Sequence, residues 1–579
     1  MEDQSKKKYY LLIVLISVLV TAPLFAKGFF DTHDGDFHIN RIIGTLQSIR
    51  DGQYLPMIIP NFVNGFGYGT NLFYPPLACY LPIFLMIFTC GNVLNAFKLM
   101  IFISVVISGI TMFNLMFDIT QNKKKSLIVA IIYLTVPYRL VDIYVRMAIG
   151  EILAFIFIPL VFQGLFNIIN ANGEKWYLLV IGTVGLLLAH NISTLLVALT
   201  AIIYVICYLD KILKEKKLKK LIVCLVFAIG MTVFFLAPFL ETTLSSDYYV
   251  ELYDDKTSLK AYSSYLYELF MGKINNGYLF TLSYPNKANN DICLTIGLQI
   301  LVPLMFTPFI FKNISKANKN LYIITLIIGL LSALATTNIF PWDLFQNTII
   351  GYIQFPMRMF IISTFTLSII AGVNVYMLFN DKNSFKDIFI LILVIFIYVQ
   401  PIINLVKFNS EYDVYSGYEI EEISKYEYIN SSKCSEFEYL PVKALKNFQY
   451  LQNRKNEILV LSGNTEISEQ NKNGTKMTAV ISNTLEDSVV ELPYIYYKGY
   501  TCKIDDQKID VVESENGMVS IEIPKGTEGG LSIKYTGTKC LYISLVISML
   551  TCFTFAFCIA YTKLNHKKND KIKGEIKWE

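Results

Sequence analysis

The residues best suited to chemistry form a charged cluster directly after the first membrane-length apolar run. The segment from Asp31 to Arg41 holds three carboxylates, two of the four histidines in the chain and an arginine. Titratable groups at a membrane face are costly to desolvate and difficult to explain as packing. We therefore expect a functional site here, with Asp34, Asp36 and His38 as candidate catalytic residues and His33 in support.

Arginine usage indicates independently where a ligand binds. Only six of the 50 lysines and arginines are arginine, and five of these six stand at the outer ends of predicted membrane spans. Arginine presents a planar fork that binds carboxylate or phosphate in a bidentate way and stays charged when partly buried. The distribution indicates an anionic ligand outside, although each arginine could instead pair with a structural carboxylate. The candidates for anion binding are Arg41, Arg139, Arg146 and Arg358.

Further polar residues stand where apolar runs begin or end. Arg139, Asp142 and Arg146 follow one another at spacings of three and four, so on a helix they would share one face. Glu151 precedes an apolar run, where a carboxylate interacts favourably with the positive end of a helix. Ion pairing and helix capping are the simpler roles for such residues, and direct participation in chemistry is the alternative. The supporting candidates are Asp142, Glu151, His190, Asn191 and Gln354.

The composition indicates a multi-pass membrane protein. Hydrophobic residues make up 54% of the 579 positions, 17% are charged, and the mean hydropathy is +0.46. A soluble globular chain of this length does not have such a composition. The cysteines show no zinc-ligand spacing, and the one disulfide that the sequence leaves possible joins Cys434 and Cys502. The Asp-x-Asp pattern of Asp34 and Asp36, with His38 nearby, could bind Mg²⁺ or Mn²⁺.

Apolar runs of about 20 residues predict twelve membrane spans. The positive-inside rule then places the lysine-rich loops and both chain termini in the cytoplasm. This arrangement requires that the proline-containing run from Leu72 to Phe88 is an interfacial or re-entrant helix and not a span. The predicted spans are 9–26, 96–118, 126–137, 148–170, 177–189, 192–208, 221–240, 292–312, 320–338, 356–379, 386–406 and 539–562.

The spans divide the chain into a transmembrane domain, residues 1–406 with an external loop at 27–95, and a polar segment before the last span. Residues 407–538 alternate between apolar and polar types, as in Val519-Ser520-Ile521-Glu522-Ile523, and contain Asn-Gly and Lys-Gly turn signals. They predict a small extracytoplasmic β-sandwich-like domain. The terminal span at 539–562 and a basic cytoplasmic tail at 563–579 follow.

Several motifs carry a family resemblance. They are His33-Asp34-Gly35-Asp36-Phe37-His38, Pro137-Tyr138-Arg139 through Arg146 with Gly150-Glu151, His190-Asn191, and Gln354-Phe355-Pro356-Met357-Arg358. Together they look like the bacterial membrane family labelled as related to 6-pyruvoyl-tetrahydropterin synthase, which is similar to YfhO-type glycosyltransferases. The acidic external loop and the Gly/aromatic stretch ending Phe73-Tyr74-Pro75-Pro76 also resemble integral-membrane glycosyltransferases of the GT-C fold. No soluble zinc-histidine signature of a pterin enzyme is present in the sequence.

The resemblance implies a sugar donor carried on a polyprenyl phosphate, an active site outside the cytoplasm and an aspartate of the first external loop as catalytic base. Asp34 or Asp36 would take a proton from an attacking acceptor hydroxyl, while arginines hold the departing lipid phosphate. The Asp-Gly-Asp spacing departs from the adjacent acids of the simplest GT-C pattern. Either carboxylate could therefore be the catalytic base, with Asp34 preferred. We expect a cell-wall or envelope glycopolymer as acceptor, a bacterial plasma membrane as location and no nucleic-acid partner.

Two other classes of function stay open. A lipid or polysaccharide transporter or flippase would also use buried charges and broken helices, but it needs a site near the membrane midplane. The ionisable residues of this chain cluster instead at one predicted face. A non-catalytic envelope scaffold would bind cell-wall polymer through residues 407–538, and its function would survive Asp34→Asn.

Overall fold

The computed structural model of the chain describes two compact units. Unit 1 comprises Met1–Gly35, Phe84–Leu225 and Asp255–Glu419, and unit 2 comprises Asp36–Ile83, Val226–Asp254 and Ile420–Glu579. The residues described are 2–25, 28, 32–50, 52–53, 55–249, 259–270, 294–379 and 437–575. Asp31, Cys434, the predicted span 386–406 and residues 407–436 of the predicted β domain lie outside the described residues.

Long apolar helices dominate the structure. Over the described ranges, seven helices are long and apolar enough to cross a membrane, and an eighth span would be the pair Lys123–Thr135 and Pro137–Arg146, which is bent by 45°. The seven are Lys6–Phe25, Val93–Thr120, Ile149–Asn170, Leu218–Thr243, Asn318–Ala335, Pro356–Leu378 and Lys539–Thr562. The prediction of a multi-pass membrane protein is therefore confirmed.

Over the described residues, some of the predicted spans are helices shorter than a full membrane crossing. The spans predicted at 177–189 and 192–208 are helices Tyr177–Ala189 and Asn191–Cys207, which are shorter than a full crossing. The span predicted at 292–312 is divided between Leu298–Met305 and Thr307–Ile310. Hydropathy registers apolar length but not the breaks that shorten a helix, so the count of twelve spans stays a prediction. Leu77–Phe88 is also a short apolar helix, as expected for a run that is not a full span.

Unit 1 is a helical bundle built around Ile149–Asn170, which packs against Val93–Thr120 and Tyr177–Ala189. A Cβ at Gly164 would lie 2.2 Å from the backbone nitrogen of Leu179, so only glycine permits this contact. Small residues allow such close approach between membrane helices. Other helical segments of unit 1 are Glu2–Thr21, Ala22–Phe25, Met86–Phe88, Lys123–Thr135, Pro137–Val141, Asp142–Arg146, Asn191–Cys207, Leu209–Lys214, Leu259–Tyr262, Leu266–Phe270, Leu298–Met305, Thr307–Ile310, Phe311–Asn313, Lys316–Ala335, Trp342–Leu344, Ile349–Ile353, Pro356–Met359 and Phe360–Phe379.

Unit 2 contains a mainly-β region directly before the last long helix. Two antiparallel sheets have the strand orders β1-β4-β8-β7 and β2-β3-β9-β5-β6. The strands are β1 Leu459–Ser462, β2 Glu466–Asn473, β3 Lys476–Asn483, β4 Ser488–Ile495, β5 Tyr500–Ile504, β6 Gln507–Ile509, β7 Val512–Glu513, β8 Met518–Ile523 and β9 Thr527–Tyr535. The predicted β-rich region near the C-terminus is confirmed.

The alternation seen in the sequence explains how the two sheets pack. Along β3, Met477, Ala479 and Ile481 are buried while Val480 between them is exposed. Strands β2 and β3 are joined by a two-residue turn in which Gly474 has φ +57°, as a tight hairpin requires. Both sheets contribute to one core, which includes Met477, Ile481, Val490, Leu492, Val519, Ile521, Leu531 and Ile533.

Residues of the loop predicted to be external, 27–95, pack onto this β region within unit 2. Phe73 stacks on Tyr439 with ring centroids 4.6 Å apart, and the Tyr497 hydroxyl donates to the Tyr439 carbonyl at 2.9 Å. Lys472 of β2 donates a hydrogen bond to the carbonyl of Gly65. Two segments predicted as separate domains therefore share one core.

Unit 2 also contains helices, some of which continue into residues of unit 1. They are Gly35–Arg50, Thr70–Phe73, Leu77–Leu85, Leu218–Thr243, Val442–Lys446, Phe448–Asn453 and Lys539–Glu575.

Candidate functional site

Two motifs that lie far apart in the sequence meet in unit 1. The backbone N–H of Asp34 donates to the carbonyl of Arg146 at 2.9 Å, and the N–H of His33 donates to the carbonyl of Val145 at 3.1 Å. The acidic motif after the first span is therefore hydrogen-bonded to the end of the Pro137 to Arg146 motif. This contact brings Asp34 next to the arginine-rich segment.

The chain around Arg146 has an unusual local conformation. Residues Asp142–Arg146 form a short π-helix, which Met147 ends with φ +54° while the N–H of Ala148 donates to the carbonyl of Asp142 at 3.1 Å. Short π-helical turns are frequent at functional sites, and a positive φ is uncommon outside glycine. The turn keeps Asp142 and Arg146 in contact and directs the chain into the next long helix.

Five charged side chains form what we call the arginine–carboxylate cluster: Asp34, Asp142, Arg146, Glu151 and Arg358. Arg146 NH1 lies 2.7 Å from Asp142 Oδ1, and its NH2 lies 3.0 Å from Glu151 Oε1. Arg358 Nε contacts the same Glu151 oxygen at 3.2 Å. Glu151 therefore bridges two arginines from distant motifs. Arg146 and Arg358 therefore both pair with carboxylates, as the simpler interpretation of these arginines predicted.

Tyr138 is a member of this site that sequence reasoning missed. Its hydroxyl donates to Glu151 Oε2 at 2.6 Å and accepts from Arg146 NH1 at 3.2 Å. The ring stacks on Phe360 at 5.4 Å between centroids. The available signal was its position between Pro137 and Arg139, where an aromatic side chain with a polar tip can serve a buried ion pair.

Asp34 differs from the other carboxylates of the arginine–carboxylate cluster. Its side chain is half-buried, and within the described residues its carboxylate makes no hydrogen bond or ion pair. Burial raises the pKa of Asp34, Arg146 and Arg358 act in the opposite direction, and Glu151 raises it further. A carboxylate with a raised pKa is better matched to proton transfer near neutral pH. Asp34 is therefore the best-placed proton acceptor of this site.

Arg358 is the second arginine of the cluster. It follows Gln354, which has φ +61°, and its NH1 donates to the carbonyl of Ile353 at 2.9 Å and to Gln354 Oε1 at 2.6 Å. Its side chain is 12% exposed. No hydrogen bond involves its NH2 in the part of the chain that the structure describes. That nitrogen is available to an anion.

His190 and Asn191 lie at the junction of two helices beside Glu151. His190 Nδ1 accepts from the N–H of Ser193 at 3.2 Å and so caps helix Asn191–Cys207. Burial lowers the pKa of His190 to about 3, with Arg358 and Arg146 contributing and Glu151 opposing. A neutral histidine holds no anion by charge, so helix capping is the role the geometry supports.

Among the described residues, Arg139 forms no ion pair with a carboxylate of the arginine–carboxylate cluster. Its NH2 donates to Ser108 Oγ at 2.6 Å, and its guanidinium lies 4.7 Å from the ring centroid of Phe155. The residue is 1% exposed, inside the helical bundle. These contacts are structural, and anion binding by Arg139 stays a prediction.

Asp36, His38 and Arg41 belong to helix Gly35–Arg50 and are described as part of unit 2. Asp36 stands in the first turn, where a carboxylate interacts favourably with the helix dipole. Arg41 is 1% exposed, and its NH2 donates to the carbonyls of Tyr74 and Pro75, both at 3.1 Å. It therefore holds the aromatic stretch before Pro76. Its binding of a lipid phosphate stays a prediction.

The residues that could bind a metal ion according to the sequence are Asp34, Asp36 and His38. Over the described ranges, no group of three or more His, Cys, Asp or Glu side chains is close enough to hold an ion, and this includes Asp34, Asp36 and His38. Mg²⁺ and Mn²⁺ prefer several oxygen ligands. The Mg²⁺ or Mn²⁺ alternative therefore has no support from the described side chains and stays a prediction.

Long apolar helices with a buried charged cluster and a β-rich region define a multi-pass membrane protein with a polar site. Residues 72–284 match the family described as the 6-pyruvoyl-tetrahydropterin synthase related domain, a membrane protein. The resemblance of the motifs to this family is confirmed for that segment, which contains Arg146, Glu151 and His190. The chain is also 25% identical over 608 aligned positions to an uncharacterized protein of Lactococcus lactis subsp. cremoris (strain MG1363), covering 96% of this chain and 95% of the relative.

Proposed function

We propose that the protein is a membrane glycosyltransferase that moves a sugar from a polyprenyl-phosphate donor to an extracytoplasmic envelope acceptor. The observation that carries the proposal is the environment of Asp34. Its half-buried carboxylate has no partner in the described part of the chain, while Arg146, Glu151 and Arg358 lie close enough to shift its pKa. Such a group is suited to general-base catalysis beside a site for an anion.

The proposed reaction is a single displacement. Asp34 accepts the proton of an acceptor hydroxyl while the hydroxyl oxygen attacks the anomeric carbon of the donor sugar. The bond from that carbon to the phosphate oxygen breaks, and the polyprenyl phosphate leaves with the electron pair. The configuration at the anomeric carbon is inverted, and Asp34 then returns its proton to solvent. A positioned general base typically contributes about 10²–10⁴-fold to the rate.

Arg358 is the proposed partner of the leaving phosphate. Its free NH2 donor can form a charge-assisted hydrogen bond to the charge that develops on the phosphate oxygen. Glu151 holds the Nε side of the same guanidinium at 3.2 Å, and Arg146 holds Glu151 at 3.0 Å. Glu151 and Arg146 therefore act as positioning residues.

The location of the cluster supports a lipid-linked donor. Glu151 stands in the first turn of the apolar span Ile149–Asn170, and Arg358 stands in the first turn of the apolar span Pro356–Leu378. A phosphate bound at this depth has hydrocarbon beside it, because both spans enter the membrane from here. A polyprenyl chain can occupy that hydrocarbon, whereas a nucleotide cannot.

The test is sugar transfer by the purified full-length protein in detergent. We expect transfer from a polyprenyl-phosphate sugar to an envelope glycopolymer fragment, with an inverted anomeric configuration in the product. The matched donor is the same sugar on a nucleotide, which we expect to be inactive. Absence of transfer from all polyprenyl-phosphate sugars, or retention of configuration, would overturn the proposal.

A transporter or flippase is the second candidate, and one observation favours it. Helix pair Lys123–Thr135 and Pro137–Arg146 is bent by 45°, and discontinuous helices line the substrate sites of transporters. Detergent solution separates the two functions, because a flippase makes no new glycosidic bond. Movement of labelled lipid across vesicles without any transferred sugar would favour transport.

A further inference from the structure

Unit 1 contains a cavity of about 270 Å³ that no member of the arginine–carboxylate cluster lines. Phe166 lines it near the end of helix Ile149–Asn170, whereas Glu151 lies near the start of the same helix. At 1.5 Å per residue, the two positions are about 22 Å apart along the helix. The cavity is therefore distinct from the arginine–carboxylate cluster.

The walls of the cavity are apolar for most of their area. They come from the ends of several long helices, and both aromatic and branched aliphatic side chains contribute. The main apolar lining residues are Phe162, Phe166, Ile324, Ile328, Phe365 and Ile369. A typical small-molecule site occupies about 300–1,000 Å³, so this cavity lies just below that range and has room for part of one hydrocarbon chain but not for a complete phospholipid.

The rim of the cavity is polar and carries a positive charge. Lys125, Asn313, Ser315 and Asn318 all line it. The Lys125 ammonium lies 4.9 Å from the Tyr376 ring centroid, and no carboxylate pairs with it within the described ranges. This end of unit 1 also carries Lys123, Lys124, Lys312, Lys316 and Lys319. The positive-inside rule assigns such an end to the cytoplasmic leaflet.

We propose that the cavity binds one acyl chain of an anionic glycerophospholipid from the cytoplasmic leaflet, with the lipid phosphate against Lys125. The apolar walls match a hydrocarbon chain, and the lysine-rich rim matches an anionic headgroup better than a zwitterionic one. No member of the arginine–carboxylate cluster lines the cavity. The inference is therefore independent of the proposed sugar transfer.

The headgroup part of the proposal is tested by photocrosslinking the full-length protein in phosphatidylethanolamine vesicles. The vesicles contain a trace of phosphatidylglycerol or phosphatidylcholine with a diazirine near the acyl terminus. We expect the phosphatidylglycerol probe to label the peptides of Phe166 and Phe365 preferentially. Lys125→Gln should lower that labelling about fivefold, whereas the matched control Lys124→Gln, which removes an exposed lysine outside the cavity lining, should leave it unchanged. Equal labelling by both probes, or an equal loss in the control, would overturn the headgroup assignment.

The chain-binding part is tested by filling the cavity. Thr325→Trp places a large ring in it, and Ile327→Trp on the same helix places one on a surface that is 50% exposed and does not line the cavity. We expect the first variant to lose labelling of the lining peptides and the second to keep it, with thermal unfolding measured on both. Unchanged labelling in a folded Thr325→Trp protein would overturn the proposal. If that variant does not fold, the Lys125→Gln and Lys124→Gln pair decides the outcome.

Discussion

Asp34 differs from Asp142 and Glu151 in what balances its charge. Asp142 and Glu151 are each paired with Arg146 in a buried network, whereas Asp34 has no partner in the described part of the chain. A buried charge that loses its partner is strongly destabilising, and a buried charge that never had one is costly to keep. Removal of the carboxylate should therefore stabilise the folded protein at Asp34 and destabilise it at Asp142 or Glu151.

The stability of two variants distinguishes a functional carboxylate from a structural one. Because burial raises the pKa of folded Asp34 above its ordinary 3.8, the folded state binds this proton more tightly than the unfolded state. The free energy of unfolding therefore falls as pH rises from the unfolded to the folded pKa, and Asp34→Asn removes this cost. At pH 7 we expect Asp34→Asn to unfold at or above the wild-type temperature. Glu151→Gln should lose about 3–5 kcal/mol. Equal destabilisation in thermal unfolding assays would contradict a functional role for Asp34.

The same raised pKa predicts the pH dependence of transfer. A general base acts when it is deprotonated, so the single-turnover rate should rise with pH and level off above the folded pKa of Asp34. The midpoint should lie above 3.8, the ordinary pKa of the group. Rates measured across a pH series, with folding checked at each pH, test this directly. A rate that does not change across the acidic range would show that another group limits the reaction.

At the scale of elements, close packing positions Glu151. A Cβ at Gly150 would lie 2.7 Å from His190 Cδ2 and 3.1 Å from the carbonyl of Ala189, so the start of helix Ile149–Asn170 fits against the His190 junction only with glycine. We expect Gly150→Ala to destabilise the protein by about 1–3 kcal/mol, as overpacking does, and to lower transfer. The control is Gly530→Ala, where the nearest atom is 3.5 Å from the added Cβ. Equal thermal unfolding of the two variants would be evidence against this packing.

The β-rich region of unit 2 depends on one buried ion pair. Arg454 Nε lies 3.0 Å from Glu491 Oε1, and both side chains are fully buried. Although burial alone raises it, hydrogen bonds from Ser514, Tyr450, Asn516 and Arg454 hold the pKa of Glu491 below its ordinary value. The stability from this pair is present above the ordinary pKa of 4.5 and is lost as pH falls through the lower folded value.

Replacement of Glu491 by Gln should therefore destabilise this region. We expect a loss of about 3–5 kcal/mol, because Arg454 keeps its charge without a partner. Amide hydrogen exchange in strands β4 and β8 of the full-length protein measures the effect locally. Glu528→Gln on strand β9, where the glutamate is exposed, is the matched control. Unchanged protection in β4 would show that the pair contributes no stability.

The observed secondary structure agrees with the prediction where the alternation of apolar and polar residues is strong. The alternation through Val519-Ser520-Ile521-Glu522-Ile523 predicted a strand, and β8 contains it. The π-helix at Asp142–Arg146 could not be predicted, because its residues have the spacing of an ordinary helix and the change of conformation depends on contacts beyond the segment. The apolar run predicted at 177–189 is helix Tyr177–Ala189 with the same bounds, but hydropathy does not show that so short a helix crosses the membrane.

At the scale of the whole molecule, the lysine-rich loops predict which segments face the cytoplasm. Lys216 belongs to such a loop, and Glu528 lies on the β-rich region that is predicted to be outside. A membrane-impermeant maleimide should label Glu528→Cys in intact cells and label Lys216→Cys only after permeabilisation, above the wild-type background. Both side chains are exposed, so access is not limited by burial. The reverse labelling pattern would contradict the predicted topology.

Sequence motifs identified many of the site residues but not their partners. Asp34, Arg146, Glu151 and Arg358 were all candidates, yet the hydrogen bond from Asp34 to Arg146 joins positions more than a hundred residues apart. No local sequence pattern shows which arginine will pair with a carboxylate and which will have a guanidinium N–H donor without a partner. Arg41 and Arg139 have the same residue type as Arg358, and their guanidinium groups contact carbonyls, a hydroxyl and aromatic rings, while Arg41 NH1 and Arg139 Nε and NH1 make no hydrogen bond among the described residues.

The central claim is that Asp34 is the base in sugar transfer from a lipid carrier. The most direct measurement is the single-turnover rate of Asp34→Asn relative to wild type, on preparations with matched thermal unfolding and matched donor binding, with Asp36→Asn alongside. The proposal predicts that Asp34→Asn lowers the rate by about 10²–10⁴-fold with donor binding retained, and that Asp36→Asn has a much smaller effect. A folded, donor-binding Asp34→Asn protein that transfers sugar at the wild-type rate would contradict it.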